Sequence, residues 1–137
     1  MASQSLIIRP EDRAACGNYL AKSEEFLRSA LEDAASGRWN ATGLSAVHAG
    51  ISAAHAVLVS ECGLPSPAQG CEDFVELLAG PGADRSSALV HLRRVLAGKS
   101  LIEHERRLFS RREARELVQH AERFLAWARA RVRPAVS

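Results

Sequence analysis

The chain has 137 residues, 47% of them hydrophobic and 25% charged, with a net charge of +2. That is enough chain to bury one core, and it is too apolar and too evenly charged for a disordered polymer. Charged residues recur so often that no apolar run approaches the roughly 18 residues of a membrane span, so no membrane contact is expected.

The first eight residues carry no basic start and only Leu6, Ile7 and Ile8 as an apolar run, which is not a secretory pattern. The expected compartment is the cytoplasm. Cys16, Cys62 and Cys71 are odd in number and lack C-x-x-C spacing, so neither a disulfide framework nor a zinc ribbon is expected. They read as reduced residues that fill helix packing sites.

The small net charge hides a polar distribution. Residues 1–92 hold six Lys/Arg and eleven Asp/Glu, whereas residues 93–137 hold twelve and five. A basic carboxyl-terminal third on an acidic body points to a polyanion or to a complementary subunit.

In chain order, residues 1–9 read as a tail. Pro10, Glu11 and Asp12 form a helix start, followed by Leu20, Phe26, Leu27, Ala30, Leu31 and Ala34 at three- and four-residue spacing, with Gly37 as the stop. Asn40 is the expected cap of a second helix running to Cys62 and ending at Gly63, before a Pro65-Ser66-Pro67 loop. Its many small residues allow close approach on every side and place it centrally. His48 and His55 lie seven apart on this helix, without a carboxylate or cysteine at the spacing of a site, and read as packing histidines.

Cys71 to Ala79 is expected to form a short helix closed by the Gly80-Pro81-Gly82 turn. Asp84 is expected to cap a helix with Leu89, Leu92, Val95 and Leu96 inward, which also carries His91 and which Gly98 would end or kink. Ser110 with Glu113 is a capping box for the last helix, whose stripe of Leu117, Ala121, Phe124, Leu125 and Ala128 runs until Pro134. The fold class predicted is all-α: an antiparallel up-down four-helix bundle with a split third helix, spanning residues 10–133, with 134–137 as a tail. No strand pattern, repeat or cofactor motif is present in the sequence, and no cofactor or metal is expected.

The Ala-Val-His-Ala-Gly-Ile-Ser-Ala-Ala-His-Ala run that ends near Cys-Gly-Leu-Pro, followed by Leu-Arg-Arg-Val-Leu-Ala-Gly-Lys-Ser-Leu-Ile-Glu-His-Glu, resembles the HEPN superfamily (higher eukaryotes and prokaryotes nucleotide-binding domain). Many of its members carry an Arg-x4-6-His motif and act as metal-independent ribonucleases, often as dimers with a composite cleft. On this sequence Lys99 stands in the arginine's place, Ser100 in that of the following asparagine and His104 in the histidine's. Other branches have a tyrosine at the histidine position after Asp or Glu, and here Glu103 precedes His104. Toxins paired with a nucleotidyltransferase tend to carry a tyrosine two residues on, where this chain has Arg106.

The resemblance implies a homodimer, RNA as substrate and a nucleotidyltransferase-type antitoxin as partner. His104 suits proton abstraction from a 2'-hydroxyl. Lys99 with Arg93 or Arg94 suits the charge developing on phosphate, although lysine lacks arginine's bidentate fork. The expected binding set is Arg93, Arg94, Ser100, Arg106 and Arg107. A five-residue spacing turns side chains about 140° apart on a regular helix. Lys99 and His104 are therefore expected to converge only through a break at Gly98 and Ser100, or through a second copy. The alternative reading is a non-catalytic dimer that binds a nucleotide, nucleic acid or protein through the basic segment.

Overall fold

A computed structural model describes residues 10–63 and 73–132, and these form an all-α bundle. Its helices are α1 (Pro10–Ala35), α2 (Trp39–Cys62), α3 (Asp73–Leu78), α4 (Ala83–His104) and α5 (Arg111–Val132). The Leu6–Ile8 run, the Pro65-Ser66-Pro67 loop, Cys71 and Pro134 lie outside the described residues.

Helix α2 is the axis of the bundle and packs against each of the other four. Ala46, Ala49, Ala53, Ala54, Ala56, Val57, Leu58 and Val59 are all fully buried or within one per cent of it. Such small residues put neighbouring backbones in reach, and Ser23 on α1 uses that closeness to donate its hydroxyl to the Ala49 carbonyl at 2.6 Å. By length and composition α2 is apolar enough to cross a membrane, contrary to the sequence expectation, because no Lys, Arg, Asp or Glu stands between Arg38 and Glu61. Its most apolar window is 72% buried inside the bundle, which accounts for that character.

Gly37, at φ 75°, turns the chain after α1. The cap expected at Asn40 is absent: α2 starts at Trp39 with Arg38 in the cap position. Arg38 is held there by Asp33, which receives its backbone N–H at 2.9 Å and its guanidinium Nε at 3.0 Å. Asn40, freed from capping, accepts the backbone N–H of Phe109 at 2.9 Å. Asp84 likewise sits in the first turn of α4 while Gly82 occupies the cap. Arg85 on α4 ties that helix to α3 and α2 by donating to the Leu78 carbonyl and to Glu61.

Gly98 does not end α4. It is buried in mid-helix, and a Cβ there would stand 2.5 Å from a methyl of Leu117 on α5. The glycine is thus a contact point between helices, and α4 continues unbroken through Ser100 to His104. Gly50 receives Val95, and Gly43 receives Ile102 and Phe109, in the same manner.

Candidate nucleic-acid interface at the end of α4

The turn from α4 to α5 is pinned from beneath. Phe109, 6% exposed, plugs the space over Gly43, and its N–H is bound by Asn40. The capping box read from the sequence is formed: Glu113 accepts the Ser110 N–H at 2.9 Å, and Ser110 Oγ accepts the Glu113 N–H at 3.1 Å. With both ends fixed, the residues between are pushed outward. His104, Glu105, Arg106, Arg107 and Leu108 are all exposed, Leu108 by 77%.

Lys99 and His104 both reach one oxygen. Lys99 Nζ donates to Glu103 Oε1 at 2.9 Å, and His104 Nε2 lies 4.0 Å from the same atom. An unbroken helix therefore brings the two groups near each other through the carboxylate between them, and the break expected at Gly98 and Ser100 is not needed. The Glu103 carboxyl is held below the usual range, chiefly by the Lys99 hydrogen bond, with His104 and His48 of α2 adding positive field. His48, read from the sequence as packing, is exposed, with its ring tilted against Phe26 at 5.4 Å. His55 is the one built in, stacked on Tyr19 and edge-on to Phe74.

The other expected residues divide into two groups. Arg93, Arg94, Ser100 and Arg106 are exposed, and none of these three arginines forms an ion pair among the described residues. Arg107 is committed to structure: its guanidinium grips Glu113 at 2.8 and 2.6 Å. That grip, with the Ser110 N–H, holds the Glu113 carboxyl at about 2. Arg111 and Arg115 add positive charge that has no ion pair among the described residues to the first turns of α5, whereas Arg112 is paired with Glu116.

Sequence reasoning missed the pairing of His91 with His120, whose Nδ1 atoms meet at 2.9 Å across α4 and α5. Among the described residues no group of three His, Cys, Asp or Glu side chains is arranged to hold a metal. Open hollows of about 460 and 310 Å³ lie elsewhere, beside Arg85 and Trp127 and beside Glu24 and Arg129. In the larger, Arg85 and Arg131 are both spent on Glu61. The end of α4 is therefore an open cationic surface on which the His104 imidazole faces solvent. No protein-family model, curated protein or solved structure matches this chain.

Proposed function

We propose that this chain is a HEPN-like module of the cytoplasm that binds RNA through the α4–α5 end and acts as a homodimer. The observation that supports the reading is the set of exposed arginines with no ion pair among the described residues, Arg93, Arg94, Arg106, Arg111 and Arg115, on α4, α5 and the turn between them, together with an imidazole that is 75% exposed at His104. Uncompensated guanidinium groups on an open surface bind phosphodiesters by releasing condensed counterions, which makes affinity fall steeply with salt.

Cleavage is the further step of this proposal. The His104 imidazole takes the proton of a 2'-hydroxyl, the 2'-oxygen attacks phosphorus, the bond to the 5'-oxygen breaks, and that oxygen takes a proton from the histidine of a second copy. Lys99 neutralises charge on the phosphoryl oxygens during the step. A second reading, binding without cleavage, is favoured by one contact: Glu103 already neutralises Lys99 at 2.9 Å. A nucleotidyltransferase-type antitoxin is the partner the cleaving form calls for.

The test combines anisotropy of a short single-stranded RNA across salt with a cleavage gel, for wild type, His104→Ala and Arg93→Gln/Arg106→Gln. Cleavage lost in His104→Ala with binding retained supports the catalytic form. Salt-dependent binding without cleavage selects the second reading. Binding that the double arginine variant leaves unchanged overturns both.

A further inference from the structure

The α4–α5 seam carries the same short pattern twice. His91 is followed three residues later by Arg94 on α4, and His120 is followed three residues later by Arg123 on α5. On a helix that spacing stacks two side chains on one face, one turn apart. The two patterns meet: the histidine rings stand 5.2 Å apart and tilted by 38°, with Nδ1 facing Nδ1 at 2.9 Å. Gly98 meets Leu117 further along the same seam, so residue numbers rise on α4 as they fall on α5. The arginines are therefore displaced to opposite sides of the histidine pair, each by roughly 4.5 Å along its own helix axis.

We propose that His91, Arg94, His120 and Arg123 form a binding site for phosphate groups, in which the histidine pair takes up a proton as the anion arrives. The histidine pair lies thirteen residues before His104 on α4, roughly 20 Å along the helix, and Arg94 is the one residue that this site shares with the surface described above.

Three observations carry it. First, the two histidines face each other through like atoms, so one nitrogen must be protonated and the other bare for the 2.9 Å contact to be a hydrogen bond. The pair thus holds at least one proton acceptor ready. Second, neither Arg94 nor Arg123 enters an ion pair among the described residues. The one carboxylate whose charge bears on the pair, Glu116, is already bound to Arg112 at 3.3 Å. Third, the field on the pair is positive. Burial lowers the pKa of both rings, Arg123 lowers both further, and Arg94 adds to the effect on His120.

A divalent metal is disfavoured by that field, whereas an anion relieves it. With a phosphate present, the ring that donates in the 2.9 Å contact takes a second proton on its Nε2 and gains a partner for its charged form while the contact is kept, and the two guanidinium groups supply planar donors from either side. Binding is therefore coupled to proton uptake: affinity rises as pH falls, by up to about tenfold per pH unit for each proton taken up. A free polyphosphate and the backbone of an RNA strand share this chemistry, and the test separates them.

The full chain, labelled with ¹⁵N at histidine, is titrated at constant ionic strength and at pH 8, 7 and 6. One arm uses inorganic pyrophosphate and the other a short single-stranded RNA, with the side-chain nitrogen signals of His91 and His120 as the readout. The expected result is that the histidine pair gains one proton on addition of pyrophosphate, read as a shift of its side-chain nitrogen signals toward the protonated form, with affinity at least fivefold higher at pH 6 than at pH 8. Arg94→Gln/Arg123→Gln, two exposed substitutions checked for an unchanged helical spectrum, is expected to lose at least tenfold in affinity. His91→Gln/His120→Gln is expected to keep weak binding but flatten its pH dependence.

Movement with RNA as well identifies the backbone as a ligand. Movement with pyrophosphate alone supports the site while counting against the RNA reading. RNA binding that leaves both histidine signals in place, together with their silence toward pyrophosphate, overturns the proposal and leaves the RNA reading standing. So does pyrophosphate affinity that is equal in wild type and the double arginine variant.

Discussion

Gly98→Ala tests the contact on which both candidate sites depend, because the approach of α4 to α5 sets where their side chains meet. The added Cβ would stand 2.5 and 2.7 Å from the two methyls of Leu117 and 3.1 Å from its Cγ. Relaxed carbon contacts are about 3.5–4.0 Å, so the methyl is about 1 Å too close. Because Cγ is crowded as well as the methyls, turning the end of Leu117 does not clear the space, and the helices must move apart. Overpacking of this kind costs about 1–3 kcal/mol, against a gain of about 1 kcal/mol for replacing a mid-helix glycine with alanine. The expected net loss is about 1 kcal/mol. Leu117, only 6% exposed, costs about 2–5 kcal/mol when cut to alanine alone. In the double variant the new methyl occupies part of the void and meets no side chain, so the combined loss falls short of the sum by at least about 1 kcal/mol. Urea unfolding of the four proteins, followed by circular dichroism, closes the cycle. Losses that add within about 0.5 kcal/mol, or a Gly98→Ala protein stabilised by the full helix gain, refute the close approach.

Ser110→Ala removes the hydroxyl that receives the Glu113 N–H and is expected to cost about 1 kcal/mol in urea unfolding, with no change in RNA binding. Glu113, held at about 2 chiefly by Arg107, adds stability that is full above its unfolded pKa of ~4.5 and is lost as pH falls toward 2, so Glu113→Gln flattens acid unfolding in that window. Glu61 is pushed up by burial but held lower overall by hydrogen bonds from Arg85 and Arg131; Glu61→Ala strands Arg85, whose side chain is 11% exposed, and is expected to cost about 3 kcal/mol in the same assay. His91 and His120 are lowered in the folded chain, so the unfolded chain binds more protons. Their contribution is full above ~6.5 and falls as pH drops below it, and the wild-type urea midpoint should therefore fall from pH 7 to pH 5.5 more than that of His91→Gln/His120→Gln.

Helix positions were legible because three- and four-residue periodicity survives any detail of packing, and α1, α2 and α5 lie where the apolar spacing puts them. Caps were legible only where the partner is local. Ser110 and Glu113 satisfy each other within one turn, and the pattern names both. Asn40 has the same propensity, but its carbonyl oxygen is taken by Phe109, sixty-nine residues away, and no local rule carries that information. Gly98 failed for a related reason. Glycine in a helix permits both a bend and a close neighbour, and Leu117 across the seam, absent from any local window, decides between them.

The same distinction governs the sites. The basic character of the α4–α5 end is a one-dimensional property and was readable from charge alone, yet which arginines are available was not. Arg106 and Arg107 are neighbours with equal charge, and only the 2.6 Å grip of Glu113 removes Arg107 from the binding surface. His48, His91 and His120 show the complementary case. None carries a ligand-like spacing on its own helix, because their relations run between helices: His48 toward Glu103, and His91 onto His120. The sequence signal that survives is the duplicated His-x-x-Arg, which becomes informative once two helices are known to lie side by side. A histidine pair that faces through like nitrogens, with a guanidinium group one turn away on each side, has its charge set by whatever anion approaches. That makes the protonation of this seam a property that an approaching phosphate would change.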